Sequence, residues 1–203
     1  MSDDREFLTL EKPTEGLFKD RGSKHFSFAY PVSTLEEIKA HLQRLRDEHP
    51  TANHVCYGYR LTGQSIIEYA SDDGEPSNSA GAPILGQLKS MELENVLVAV
   101  VRYFGGTKLG VPGLINAYRT AAREALDAGK MIRKQPTVVL ELRFTYDQSG
   151  EVDRTLRQLN LVPIHKEYTE TCLLRVELKK LDQDSILRKF ERITDLEWTL
   201  NAP

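Results

Sequence analysis

Residues 71–118 read SDDGEPSNSAGAPILGQLKSMELENVLVAVVRYFGGTKLGVPGLINAY. Two loops rich in glycine and charge, 71–81 and 102–113, each lead into an apolar helical segment, and an almost wholly apolar run, 96–103, lies between them. Glycine admits positive φ and close backbone approach, and the free N–H groups of a helix start attract anions. The run 96–103 has the length and continuity of a central strand covered on at least one face. Two such loops flanking one buried strand predict a surface site.

Working outward, residues 1–22 read as a polar leader into a first strand at 25–32, whose apolar and polar residues alternate. Ser33 or Thr34, with Glu36 or Glu37 three residues on, forms a capping-box pattern ahead of a helix whose face is Leu35, Ile38, Leu42 and Leu45. Segments 54–60 and 65–70 are β-rich and joined by Leu61-Thr62-Gly63-Gln64, a hairpin signal. A helix is expected over 82–91, with Pro83 in its first turn, and another over 114–128 with Leu114, Ala117, Ala121 and Ala125 inward and Gly129 closing it.

The basic segment 130–136, closed by Pro136, marks an expected boundary between domains at 1–130 and 136–203. Beyond it the order is strand 137–146, helix 150–160, strands 162–170 and 171–179, helix 184–192 and strand 195–200. That βαββαβ order is the ferredoxin-like plan. Leu156 and Leu159, then Ile186, Leu187 and Phe190, supply its apolar stripes, and Trp198 is expected to pack under the last strand.

Charge narrows the function. Residues 1–130 carry 15 Lys/Arg against 18 Asp/Glu, and 131–203 carry 12 of each. Neither part is the basic body of an avid, non-specific nucleic-acid binder, so any RNA contact needs a local basic face. No apolar run approaches a membrane span, and MSDDREFLTL lacks a basic-then-apolar leader pattern, so a cytoplasmic protein without a membrane partner is expected. Cys56 and Cys172 form no ligand cluster and are expected as buried small hydrophobes. No metal or cofactor is expected.

In the loop Arg102-Tyr103-Phe104-Gly105-Gly106-Thr107-Lys108-Leu109-Gly110, Arg102 and Lys108 can neutralise phosphate and Tyr103 and Phe104 can stack on bases. The loop amides, with a helix beginning near Pro112 or Gly113, can hold an anion. The plainer alternative is that the aromatics are core and the glycines turn the chain. The spacing fits neither GxxxxGK[ST] nor GxGxxG. In the other loop Asp72, Asp73 and Glu75 repel one another unless a cation, a helix start or a basic group offsets them. They read as a binding loop with Ser77, as turn and cap chemistry, or as a metal or acid/base site. Arg119 and Arg123 share a helix face with Asn116, where Glu124 and Asp127 can neutralise them.

SDDGEPS, SAGAPIL, VVRYFGG, KLG and GL-x-x-AY, in this order and spacing, resemble the IMPACT family, and the whole chain is similar to its bacterial YigZ-type two-domain members. The resemblance implies an α+β protein. Its first domain would be a ribosomal protein S-five domain-two-like α/β sandwich and its second ferredoxin-like, together similar to domains IV and V of elongation factor G. It also implies a link to translation control and to nucleic-acid or ribosome-related binding, with no settled catalytic activity. Eukaryotic relatives act on a starvation-responsive kinase pathway, which makes a translation-regulatory protein partner the further expectation. The common GEPSGTAG is here GEPS-Asn78-Ser79-AG, and Val111-Pro112-Gly113 stands where a second glycine is common, so Pro112 removes one amide donor.

The expected function is therefore cytosolic, translation-associated binding of RNA, the ribosome or a ribosome-associated partner. Its expected binding residues are Arg102, Tyr103, Phe104, Gly105, Gly106, Lys108, Gly110 and Gly113, with Asp72, Asp73, Glu75, Ser77 and Arg119. The alternative is a metal-dependent hydrolase or other enzyme taking an anionic substrate at the same two loops.

Overall fold

A computed structural model covers the chain, and residues 5–62, 66–169 and 171–201 are described. The chain divides into two units, the first comprising Phe7–Lys134 and the second running from Gln135 onward.

The elements of the first unit are β1 (Phe7–Leu10), β2 (Thr14–Asp20), β3 (Ser23–Pro31), α1 (Leu35–Glu48), β4 (His54–Leu61), β5 (Ile67–Ser71), α2 (Gly81–Ser90), β6 (Val96–Tyr103), α3 (Gly110–Asp127) and β7 (Met131–Lys134). Five strands form one antiparallel sheet in the order β2-β3-β6-β4-β5. β6 is central, and both its faces are covered. Val96, Val98 and Val100 join Ile84 and Leu88 of α2 and Leu114, Tyr118 and Ala121 of α3 in one core. Leu97, Ala99 and Val101 join Ile38 and Leu45 of α1 in the other. The alternation of side chains along a strand divides its apolar run between these two layers, which is why the run is continuous.

α1 begins as its sequence dictates. Glu37 N donates to Thr34 Oγ1 at 3.2 Å, and the Glu37 carboxylate accepts from Ser33 N at 2.6 Å. Such a cap stabilises a helix by about 1 kcal/mol.

Four elements of this unit depart from expectation. The polar leader holds two strands, β1 and β2, and the expected boundary segment holds β7, which pairs antiparallel with β1. β2 alternates exposed and half-buried positions as an edge strand, with Thr14 buried and its hydroxyl donating to Ala125 O of α3 at 2.7 Å. α3 starts at Gly110, before the expected Leu114, because Gly110 takes φ +70° to turn the chain and Pro112 fits a first turn where its missing N–H is not needed. In the expected hairpin, residues 63–65 lie outside the described residues.

The second unit runs β8 (Thr137–Phe144), α4 (Ser149–Gln158), β9 (Pro163–Tyr168), β10 (Cys172–Lys179), α5 (Gln183–Phe190) and β11 (Glu197–Asn201), with short 3-10 turns at Tyr146–Gln148 and Lys180–Asp182. The order is βαββαβ, and the sheet is antiparallel in the order β11-β8-β10-β9. Glu170, the end of one expected strand, is outside the described residues. Leu140, Leu142, Leu174 and Val176 meet Val152 and Leu156 of α4 and Ile186, Leu187 and Phe190 of α5. Trp198 departs from expectation. It pairs with buried Leu142 but sits on an edge strand and stays 36% exposed. Cys56 and Cys172 are both free and buried. Among the described residues no helix is long and apolar enough to cross a membrane.

Candidate binding site

The three carboxylates of loop 71–81 are each held by different donors. Asp72 sits ahead of α2, a helix with no other side-chain cap. Its Oδ1 accepts from Ala80 N at 3.0 Å and Gly81 N at 2.8 Å, and its Oδ2 from Asn78 N at 2.8 Å. Asp72 is thus the helix cap. Asp73 accepts both Arg46 terminal nitrogens, at 2.9 and 3.3 Å, and Val55 N at 2.7 Å. Burial works against the charge of Asp73, but Arg46 and the Val55 amide outweigh it and hold the carboxyl below the usual range. Asp73, Gly74 and Asn78 all take positive φ, so the loop is a sequence of tight turns. The three acids do not converge, and no metal-ligating cluster forms among the described residues. The joint metal site expected in the alternative from Asp72, Asp73 and Glu75 does not form among the described residues.

Glu75 turns inward. It pairs with Arg102, and the same Oε1 accepts from the Tyr118 hydroxyl at 2.8 Å. Only 4% of the Glu75 side chain and 7% of the Arg102 side chain is exposed. Tyr118 in turn lies 3.4 Å from the Cys56 thiol. Burial pushes both the Cys56 thiol and the Tyr118 phenol up, so each keeps its proton and the phenol can donate to Glu75. His54 lines the same chain of contacts. Its Nδ1 is 2.7 Å from Asp73 O, which can only accept, so Nδ1 carries hydrogen. Its Nε2 stands 3.8 Å from Glu75. Arg102 is therefore an internal counter-ion, and the expectation that it meets an external phosphate is corrected.

The second loop is pinned at its start. Phe104 N donates to Asn53 Oδ1 at 2.8 Å, and Gly105 N to Ser23 Oγ at 3.1 Å. Gly105 lies against the turn between β2 and β3 so tightly that a Cβ there would come 1.9 Å from the Gly22 carbonyl carbon. Gly106 takes φ +88°. Phe104 is held out into solvent, 47% exposed, with the Arg102 guanidinium 5.8 Å from its ring centre. Lys108 is exposed and has no ion-pair partner among the described residues.

Two recesses share Phe104. One, of about 420 Å³, is lined by Glu75 and Pro76 of the first loop, Arg102, Lys108 and Leu109 of the second, and Val111 and Leu114 of α3. The other, of about 470 Å³, is lined by Gly22, Lys24, Phe26, His49, Tyr103 and Phe104. Arg102 and Tyr103 are consecutive on β6, so their side chains leave opposite faces of the sheet. Lys24 is in register with Tyr103, and His25 and His54 with Arg102, which puts each recess on its own face at the end of β6.

The two loops therefore meet at one recess, which joins Glu75, Arg102, Phe104, Lys108 and Gly110. Gly113 is inside α3, and Tyr103 belongs to the wall of the opposite recess, its hydroxyl 2.8 Å from His49 Nδ1. Ser77 and Arg119 are exposed and line neither recess, and Arg123 pairs with Asp127 at 2.7 Å.

Residues 21–126 match the family model described as the Impact N-terminal domain, more than half of the chain. This chain belongs to the IMPACT family. IMPACT family member YvyE of Bacillus subtilis is 34% identical over 189 residues, covering 93% of this chain and 87% of that protein. IMPACT family member YigZ of Escherichia coli is 35% identical over 146 residues, covering 71% of this chain and 72% of that protein. A crystal structure of a hypothetical protein aligns over 98% of this chain and 97% of its own, with a TM-score of 0.70 and 29% identity.

In this IMPACT-family protein several site residues escaped sequence reasoning. Ser23, Lys24 and Phe26 come from β3, His49 and Asn53 from beyond α1, and Arg46 from α1. Only the Gly22 turn carried a local signal, since Arg21-Gly22 takes consecutive positive φ between two strands. The rest reach the site through sheet register.

Proposed function

We propose that this IMPACT-family protein is a translation-associated binding protein of the cytoplasm, whose first unit engages RNA, the ribosome or a ribosome-associated partner through loop 104–109 and the recess beside it. Family membership and the resemblance to elongation factor G motivate the ribosome. In the same reading the first unit is the S-five domain-two-like sandwich and the second a ferredoxin-like domain, which the antiparallel order β11-β8-β10-β9 supports. One observation carries the site: Lys108 and Phe104 stand exposed at the mouth of a recess whose floor is fixed by a buried, internally neutralised ion pair. An exposed cation and an exposed ring on a pinned loop suit an anionic partner with flat or apolar groups.

The test is co-sedimentation with ribosomes for wild type and Lys108→Glu. Lys108 makes no ion pair among the described residues, so the variant should keep its Tm and lose association, most strongly at low salt. Undiminished sedimentation of Lys108→Glu, or none by wild type, overturns the proposal.

A further inference from the structure

We infer that the recess on the α1 side of Phe104 is a seat for one unpaired nucleobase, so that the nucleic acid this protein takes is single-stranded. The inference rests on the function proposed above and names the chemistry of its ligand. Four aromatic side chains line the recess, and three of them fix one another. Phe26 and His49 stack at 6.0 Å with 28° between planes, and Tyr103 meets Phe26 and His49 edge-on, each at 5.9 Å. The Tyr103–His49 hydrogen bond holds that wall. Phe104 is the rim, exposed and pinned through its own amide and that of Gly105, so its exposure is built into the backbone and costs little entropy when a ring stacks on it.

Cations flank this rim. Lys24 lines the recess, Arg21 lies in the adjoining turn and Lys108 stands on the other side of Phe104, and none has an ion-pair partner among the described residues. An apolar peptide anchor would use the rings but not these charges. A nucleotide uses both, its base on the rings and its phosphates on the cations. Duplex RNA keeps its bases stacked inside and presents no free face to such a recess.

The test is fluorescence anisotropy of a short, unstructured, end-labelled oligoribonucleotide with the full-length protein, alone and annealed to its complement. The single strand should bind and the duplex should bind much more weakly. Phe104→Ala should weaken binding about tenfold with an unchanged salt slope, and Phe104→Tyr should restore it. Lys24→Ala should lower the slope of log K against log salt by about 0.7, one phosphate contact of a single strand. Equal binding of duplex and single strand, or a Phe104→Ala variant that binds like wild type, overturns the inference. If ribosomes still retain wild type and release Lys108→Glu while the oligoribonucleotide goes unbound, the inference fails and the broader function stands. If wild type binds neither ribosomes nor oligoribonucleotide, both fail.

Discussion

Glu75 and Arg102, 27 residues apart in the chain, face each other as an ion pair almost wholly removed from water. Glu75 lies in the first glycine-rich loop and Arg102 near the end of β6, just ahead of the second, so the pair fastens that loop to the sheet beneath the recess. Arg102 Nε makes no hydrogen bond among the described residues, and the Glu75 side of the pair is held further by the Tyr118 hydroxyl.

Removing one partner strands a buried charge. Glu75→Ala and Arg102→Ala should each destabilise the protein by about 3–5 kcal/mol, whereas Glu75→Met with Arg102→Met should recover much of the loss. Urea denaturation of the two single variants and the double variant checks this. A double variant no more stable than either single one would overturn the expectation.

Asp72 satisfies three backbone donors at the start of α2. Asp72→Ala should cost about 2 kcal/mol, the upper end for a helix cap, and loosen 78–81. Faster amide exchange at Ala80 and Gly81, with β6 still protected, is the expected pattern.

Gly105→Ala should be far more damaging than Gly106→Ala. A Cβ on Gly105 meets the Gly22 and Ser23 backbone at 1.9 and 2.1 Å, where no side chain can swing away, and at Gly106 it meets nothing within 4 Å. Gly106→Ala should cost only about 1 kcal/mol, for its left-handed φ. Thermal melts of the two variants check this.

His25 is fully buried, with its ring edge-on to Tyr118 at 5.2 Å. Among the described residues neither ring nitrogen makes a well-formed hydrogen bond. Burial, then the charge of Arg102, lowers its pKa to about 4. The unfolded chain takes up this proton near the ordinary histidine value and the folded chain resists, so stability is full above about pH 6.5 and falls as pH drops toward 4. The loss should approach about 3 kcal/mol. His25→Phe should flatten that limb of the stability profile, measured by denaturation across the same window.

The parts of the fold carried by local pattern were legible. β6 announces itself because both its faces are buried, and α1 through its cap and its spacing of Ile38 and Leu45. β1, β2 and β7 were not legible: β1 and β7 are only four residues each, and β2 is an edge strand whose polar alternation resembles a loop until its partners are known. At the site, the two loops could be named from composition, but which charges they spend on each other could not. Whether Arg102 faces water or Glu75 is decided by β6 pairing with β3 and β4, a relation no local window contains. For the same reason Lys24 and His49, distant in sequence from either loop, gave no sign of joining Tyr103.

The strand pairs at the rim of the first unit bear on where the chain can be trimmed. A fragment cut to 21–126 would discard β1, β2 and β7 together, baring the outer hydrogen-bonding edge of β3 and the surface of α3 on which Thr14 and Gly16 lie. Such a truncation would offer a ready template for strand addition by a second copy, and would be apt to precipitate before any ligand could be tried on it.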